Sequence, residues 1–238
     1  MPIAREPPTL RIMKIAIIGA GTMGDALGKV WAKVGHYIIF GVRNVPQGQG
    51  RTTPPMSTLG AGTAMMSMLD AAMKADIIVL TAPWPAVPDT IKALGDLSGK
   101  VVIDCTNPLS LNGDGSLSLS VGSTSSGAEE VEKLAAGSMV VKAFNIYGGD
   151  NFGNTEYPNA AGLKPVMFYC GDHDEAKEKV HQLATDLGFE PIDTGGLGMA
   201  RSLEPLALLW IRLSINNGRN TNFTWARLTR EPVSASKA

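Results

Sequence analysis

The sequence contains few of the residues that form disulfide bonds or bind metal ions. Its 238 residues include only two cysteines, Cys105 and Cys170, and only three histidines. Two cysteines are too few for a disulfide framework, and no CxxC pair or Cys/His cluster is present. The sequence therefore favours neither a disulfide-rich secreted protein nor a zinc protein, and we expect no metal site.

An excess of charge of one sign and long apolar runs are also lacking. The 21 basic residues are balanced by 22 acidic ones, so the concentrated positive charge that nucleic acids require is absent, and we expect no nucleic-acid partner. The apolar run Leu206–Ile211 is far shorter than the ~20 residues that cross a bilayer. Met1–Leu10 has no apolar signal core. We expect a cytoplasmic protein with no membrane partner.

Short apolar runs alternate with helical patterns along most of the chain. Lys14–Gly19, Tyr37–Val42 and Ile77–Thr81 are continuously apolar, which is typical of parallel strands covered on both faces. Ala26–Val34 has helical periodicity and is followed by Gly35 as a C-cap. The alternation predicts an α/β fold with a Rossmann-like, doubly wound, mostly parallel sheet.

The remaining elements follow the same alternation. Further strands are predicted at Ala64–Ser67, Lys100–Asp104, Ser138–Asn145, Pro165–Gly171 and Phe189–Thr194. Further helices are predicted at Leu69–Ala75, Ala86–Leu94, Ala128–Ala136, Asp174–Leu187 and Ser202–Ile215. Val45–Gly62 is predicted as a loop. Ser110–Gly127, rich in Ser and Gly, is predicted as a long mobile loop, either a linker or a lid over a ligand.

The pattern G-x-G-x-x-G stands between the first predicted strand and helix. Its six residues are Gly19, Ala20, Gly21, Thr22, Met23 and Gly24. In this position the first glycine permits a tight turn, the second lets the backbone approach a pyrophosphate, and the third lets the helix pack on the strand. Free N–H groups at the start of the helix would bind the pyrophosphate. The turn therefore predicts a dinucleotide site.

The end of the second strand bears on the choice of dinucleotide. An NAD site usually has Asp or Glu there to accept from the ribose 2′-OH, whereas this chain has Val42, Arg43 and Asn44. Arg43 could pair with a 2′-phosphate, although a solvated surface arginine is the alternative. We therefore expect NADP as the cofactor.

Three later loops complete the predicted cofactor site. Thr81, Ala82, Pro83 and Trp84 follow a strand, and Trp84 either contacts the ribose or nicotinamide or is a core tryptophan. Asn107 could form a hydrogen bond with the cofactor or the substrate, or it could be a turn residue before Pro108. Ala143 and Asn145 would close the pocket from the far side.

Several other residues are expected to have structural rather than catalytic roles, or leave both open. His36 is expected to be structural, and Cys105 to be a small buried apolar residue. Arg212 lies inside an otherwise apolar helix that docks on the sheet or on a second subunit. It either pairs with a carboxylate across an interface or faces a polar substrate.

The motifs together resemble a known family. Gly19–Gly24, Gly41–Arg43, Thr81–Trp84 and Gly171–Asp174 are similar to the NADPH-dependent coenzyme F420 reductases. Asp104–Pro108 and Val141–Asn145 are similar to the related reductase domains of the STEAP metalloreductases. The similarity runs from about Lys14 to about Arg227.

The resemblance implies a reaction as well as a fold. It implies a dinucleotide-binding domain over residues 11–147 and a smaller C-terminal region over 148–238, which could form one continuous domain. It also implies direct hydride transfer between NADP and F420 or a flavin, without a protein acid, base or nucleophile. We also expect a homodimer. The sequence has no evident catalytic triad or carboxylate pair, which agrees with a reaction that needs no protein acid or base. Val42 and Gln47 depart from the family pattern and leave dual NAD/NADP use open.

Two other functions remain open at this point. One is NADPH-dependent reduction of a C=N or C=O bond in a small substrate, which would require a proton donor. The other is a non-catalytic NADP-binding sensor. In each case the partner is a small molecule.

Overall fold

A computed structural model describes residues 11–19, 21–44 and 63–230. The predicted loop Val45–Gly62 and the predicted site residue Ala20 lie outside the described residues. Within those residues, ten strands and six α-helices alternate along the chain. The strands are β1 Lys14–Ile18, β2 Tyr37–Val42, β3 Thr63–Ser67, β4 Ile77–Leu80, β5 Val101–Asp104, β6 Leu109–Leu111, β7 Leu117–Leu119, β8 Met139–Lys142, β9 Val166–Gly171 and β10 Glu190–Asp193. The helices are α1 Thr22–Val34, α2 Met68–Lys74, α3 Val87–Leu94, α4 Gly127–Leu134, α5 Asp174–Asp186 and α6 Ala200–Asn216.

Eight of the strands form one sheet in the order β10-β9-β8-β5-β4-β1-β2-β3. Neighbouring strands are parallel throughout except at β8 and β9, which pair antiparallel. From β3 to β8 the order is that of a doubly wound Rossmann sheet, with a reversal of strand order between β1 and β4. The predicted α/β fold class is confirmed.

Helices cover both faces of this sheet, as the continuously apolar strands require. One apolar layer packs α1 and α5 on the sheet through residues such as Trp31 and Val180. The other packs α2, α3 and α4 on the opposite face through residues such as Ile91 and Val131. Ile15, Ile17 and Ile18 of β1 have no exposed surface. The sheet centre is therefore rigid, and residues at its carboxyl ends have fixed positions.

The prediction of a long mobile loop over Ser110–Gly127 is wrong for residues 110–119, whereas residues 120–126 form no helix or strand. Strands β6 and β7 form an antiparallel hairpin in which Leu109 faces Leu119 and Leu111 faces Leu117. Leucine and serine alternate in both strands around the Asn-Gly-Asp-Gly turn, a pattern that favours a hairpin. The hairpin contacts α6, and the guanidinium of Arg212 donates to the carbonyl of Leu117 at 2.7 Å. Arg212 is exposed, so its charge remains in contact with solvent, and its bond to Leu117 links α6 to the hairpin rather than to a carboxylate.

Helix α1 also differs from its prediction. It begins at Thr22 rather than Ala26, directly after the glycine turn, and ends at Gly35 in the left-handed conformation, as expected. No helix among the described residues is long and apolar enough to cross a membrane.

Candidate functional site

The glycine turn joins β1 to α1 at the point where the strand order reverses. Gly19 has a φ of +114°, a conformation that side chains other than glycine rarely adopt. The Thr81 hydroxyl at the end of β4 donates to the carbonyls of Ile18 at 3.1 Å and Gly19 at 2.9 Å. The predicted site residues of β1 and β4 are therefore held together, and Thr81 fixes the turn.

The other two glycines of the turn face different surroundings. A Cβ on Gly24 would lie 2.2 Å from the Gly19 carbonyl oxygen, so only glycine permits this contact between helix and turn. A Cβ on Gly21 would meet nothing within 4 Å. Open space at the second position and close packing at the third are the two conditions that a pyrophosphate turn requires.

The start of α1 has no side-chain cap. Gly21 is the N-cap residue, and no side chain bonds to the first N–H groups. Thr22 is exposed, while Met23 is half-buried against the core. The uncapped N–H groups and the positive end of the helix dipole therefore suit an anion.

The end of β2 lies beside the turn and carries no acidic residue among the described positions. Arg43 and Asn44 are exposed, and Val42 is half-buried. Arg43 takes part in none of the ion pairs formed among the described residues. Its guanidinium is accordingly available to an external anion.

On the other side of the turn, the loop after β4 leads into α3. Pro83 is exposed, whereas Ala82 and Trp84 are half-buried against the core. A Cβ on Gly127 would lie 3.2 Å from the Trp84 ring, which places this indole at the start of α4. Trp84 therefore joins the packing of α3 and α4 but keeps part of its surface exposed.

The asparagines predicted at the ends of β5 and β8 contact each other. The amide nitrogen of Asn107 donates to the backbone carbonyl of Asn145 at 2.9 Å, and the Asn145 amide nitrogen donates to Asn107 Oδ1 at 3.0 Å. Ala143 is fully buried, and Phe144 after it has a φ of +60°. Non-glycine residues in this conformation are uncommon and are concentrated at functional sites.

A buried ionic cluster beneath this pair was not predicted from the sequence. Lys142 Nζ lies 2.8 Å from Asp104 Oδ2 and 2.9 Å from Glu204 Oε1, and none of the three side chains exceeds 1% exposure. Asp104 and Lys142 face each other in the register of β5 and β8, while Glu204 comes from α6. The sequence did contain one signal of this cluster, because each of the two apolar strands ends in a charged residue.

Helix α4 and the strands keep this cluster charged. The backbone N–H groups of Gly127 and Ala128, at the start of α4, donate to the Glu204 carboxylate at 2.9 and 3.1 Å. Burial alone would lower the pKa of Lys142, but the facing carboxylates of Asp104 and Glu204 outweigh it and raise that pKa. The cluster is thus an internal ionic link between β5, β8, α4 and α6.

The remaining candidate residues have structural roles. His36 is buried, accepts from the Met13 backbone N–H at 3.1 Å and lies 2.9 Å from Asp186, as expected of a structural histidine. Burial raises the pKa of the Cys105 thiol, and the neighbouring Asp104 raises it further. The described residues contain no cluster of three or more metal-ligating side chains.

Comparison with known proteins agrees with this geometry. Residues 14–108 match the family model for NADP oxidoreductase, coenzyme F420-dependent. The chain is 31% identical over 212 residues to the F420-dependent NADP reductase of Methanocaldococcus jannaschii, covering 85% of this chain and 93% of that enzyme. A crystal structure of a candidate F420-dependent NADP reductase from Arthrobacter sp. FB24 superposes with a TM-score of 0.77 at 28% identity, covering 90% of this chain and 100% of that one.

A further relative is longer than this chain. Metalloreductase STEAP3 of Rattus norvegicus is 27% identical over 205 residues, which cover 82% of this chain and 37% of that protein. The Rossmann sheet, the glycine turn and these matches define an NADP-dependent oxidoreductase. Within that class, the chain belongs to the family of coenzyme F420-dependent NADP reductases. The predicted resemblance is confirmed.

Proposed function

We propose that this enzyme transfers a hydride directly between NADP(H) and a deazaflavin of the F420 type, or a flavin. The observation that carries the proposal is the sequestration of the ionisable groups at the ends of β5 and β8. Asp104 and Lys142 are buried in their ionic cluster, and Tyr147 is buried and donates to the Val166 carbonyl at 2.8 Å. Burial raises the pKa of Tyr147 to about 12.

This arrangement favours transfer between two rings over reduction of a C=N or C=O bond. A C=N or C=O substrate needs a proton as well as a hydride, so an acid must reach it. The groups just described are paired or buried, so they do not reach such a substrate as acids. Hydride transfer between rings needs positioning and exclusion of water, which a rigid sheet edge can supply. The F420-dependent relatives support the same acceptor.

The residues proposed to hold NADP divide by position along the sheet edge. We propose that the pyrophosphate binds the glycine turn, that the 2′-phosphate binds at the end of β2, and that the nicotinamide lies over the ends of β4, β5 and β8. The open space at Gly21 and the uncapped start of α1 fit this cofactor. When bound, NADP supplies the hydride-carrying carbon. The proposed set is Gly19, Ala20, Gly21, Thr22, Met23, Gly24, Val42, Arg43, Asn44, Thr81, Ala82, Pro83, Trp84, Asn107, Ala143 and Asn145.

Turnover with a defined set of acceptors tests the reaction. Purified enzyme is mixed with NADPH and, separately, with F420, FMN and a cyclic imine, and the absorbance of NADPH and of the acceptor is followed. We expect oxidation of NADPH with F420 or FMN in equal molar amounts. Turnover of the imine alone would overturn the proposal in favour of a C=N reductase. Tight NADPH binding without turnover of any acceptor would overturn it in favour of a sensor.

We also propose a homodimer in the cytoplasm. Met199, Leu209 and Ile215 in and next to α6 are large apolar side chains, each between 41% and 48% exposed, and contact with a second copy of the chain would bury such side chains. Both thiols are free and buried, which suits a reducing compartment. Sedimentation equilibrium should give twice the 25.1 kDa chain mass, and a monomer mass would contradict the dimer.

A further inference from the structure

Asn145 has a buried acceptor that no described residue satisfies. The residue is 3% exposed, and its Oδ1 atom has no hydrogen-bond donor among the described residues. Its amide nitrogen, in contrast, donates both to Asn107 Oδ1 at 3.0 Å and to the backbone carbonyl of Leu203 at 3.3 Å. A buried carbonyl oxygen without a donor is costly, so its position needs a reason.

The orientation of this amide is determined by its neighbours. Leu203 offers a backbone carbonyl, which can only accept, so rotating the Asn145 amide by 180° would bring two oxygens together. Asn107 does not supply the missing donor, because its amide nitrogen donates to the Asn145 backbone carbonyl at 2.9 Å and forms no hydrogen bond to Oδ1. The unsatisfied atom is therefore Oδ1.

The buried ionic cluster holds both asparagines in place. Asp104 Oδ1 accepts from the Thr106 backbone N–H at 2.9 Å and from the Thr106 hydroxyl at 2.7 Å, which fixes the turn that presents Asn107. Leu203, which accepts from Asn145, is adjacent in α6 to Glu204, which pairs with Lys142. The acceptor is thus preorganised by its surroundings.

The place of this acceptor on the sheet indicates its ligand. Asn107 and Asn145 follow β5 and β8, which lie two and three strands from β1, or roughly 10 and 15 Å at the usual strand spacing. A dinucleotide whose pyrophosphate lies on the glycine turn extends its second nucleoside toward this side of the switch point. The nicotinamide ring carries a carboxamide, whose NH2 group is a donor.

We propose that Asn145 Oδ1 accepts a hydrogen bond from the nicotinamide carboxamide and so fixes the orientation of the ring. The proposal rests on the proposed function, because it assumes that NADP occupies the cleft. Asn145 is then a specificity-determining residue that distinguishes a carboxamide from a substituent without an N–H.

Isothermal titration calorimetry with three oxidised cofactors tests this assignment. NADP+ and its thionicotinamide analogue keep the NH2 group, whereas the 3-acetylpyridine analogue replaces it with a methyl group. The wild-type enzyme is expected to bind the first two alike and the third about tenfold more weakly, the scale of one net hydrogen bond. If the wild-type enzyme binds all three alike, the proposal is overturned without any variant.

The variant Asn145→Leu removes the acceptor at similar size. It is expected to bind NADP+ and the acetylpyridine analogue with equal affinity, because only the ligand with a donor loses a bond. Asn216→Leu, a matched change at an exposed position of α6, should keep the wild-type preference. Asn145→Ala serves if the leucine variant does not fold. Retention of the tenfold preference in either Asn145 variant would overturn the proposal.

Two outcomes separate this inference from the proposed function. If wild-type enzyme binds no NADP+, the proposed function itself fails. If NADP+ binding is unchanged in Asn145→Leu while the KM for the hydride acceptor rises, Oδ1 serves the second substrate, and the carboxamide assignment is overturned although the proposed function stands.

Discussion

Gly21 and Gly24 are three residues apart in one turn, and an alanine methyl would meet different surroundings at each. At Gly24 the methyl would collide with the Gly19 carbonyl and with Ile17, while at Gly21 it would enter open space. The same substitution therefore separates a packing role from a ligand role. This pair shows how a motif of identical residues divides into different physical functions.

We expect Gly24→Ala to destabilise the fold and Gly21→Ala to weaken only NADPH binding. Alanine favours a helix by about 1 kcal/mol, but overpacking at Gly24 should cost about 1–3 kcal/mol more than that gain. At Gly21 the methyl occupies the proposed pyrophosphate space, so the Kd for NADPH should rise by about tenfold or more. Urea unfolding and fluorescence titration measure the two effects. A Gly21→Ala protein that binds NADPH normally would contradict the proposed site.

Arg43 determines the choice between NADPH and NADH if it binds the 2′-phosphate. Its side chain is exposed and forms no ion pair within the described part of the chain, so Arg43→Ala should leave stability nearly unchanged. The KM for NADPH should rise by about tenfold, and that for NADH should change little. Steady-state kinetics with both cofactors measures this, with exposed Arg230→Ala as the control. Equal changes in the KM for NADPH and for NADH would show that Arg43 does not bind the 2′-phosphate.

At the scale of elements, the strands of the main sheet were predicted well. The contacts between side chains of different strands were not. The buried strands have continuous apolar runs, so their existence follows from local sequence. The ionic cluster depends on the register of β5 with β8, which brings Asp104 opposite Lys142, 38 residues later. No local pattern encodes such a separation, and the third member, Glu204, comes from α6, the last helix in the sequence.

The glycine turn was predictable because its chemistry lies in six consecutive residues. The asparagine pair was predicted one residue at a time, and the mutual hydrogen bonds of Asn107 and Asn145 appear only when β5 and β8 are neighbours. The hairpin β6–β7 was missed because its Ser- and Gly-rich composition was given more weight than its alternation of leucine and serine. Local periodicity was the better guide to that segment.

The ionic cluster should contribute strongly to stability as a link between elements. In Lys142→Met, two buried carboxylates lose their shared cation, and we expect a loss of about 3–5 kcal/mol in the free energy of unfolding. Lys133→Met is the matched control, since Lys133 pairs with Glu130 at the exposed surface and should cost less than about 0.5 kcal/mol. Urea denaturation measures both. Similar small losses in the two variants would mean that the cluster is not an essential link.

At the scale of the whole molecule, contacts cross the proposed boundary between residues 147 and 148. The Trp31 indole of α1 donates to the Leu183 carbonyl of α5 at 3.0 Å, and His36 lies 2.9 Å from Asp186. Strands β8 and β9 pair directly across the same boundary. We propose that the described residues of the two predicted parts, 11–147 and 148–238, belong to one folding unit.

We therefore expect one cooperative unfolding transition. Two variants, one retaining only Trp31 and the other only Trp210, would report separately on the two parts of the chain. Within each variant, the fluorescence midpoint in urea should agree with the midpoint from circular dichroism. Separate midpoints would show instead that residues 148–238 unfold as an independent domain.

If NADP binds at the uncapped start of α1, as proposed, the lifetime of the protein depends on its metabolic surroundings. Ser67 and Ser126 cap the first N–H groups of α2 and α4, whereas α1 begins after Gly21 without a side-chain cap, so an anion bound there would add to its stability. A ligand present at a hundred times its Kd adds about 2.7 kcal/mol to the folded state. Proteolysis through the unfolded state then slows when the cellular pool of NADP is full and accelerates when it is depleted. The proposed cofactor turn would thereby also make the abundance of the enzyme respond to the supply of its own cofactor.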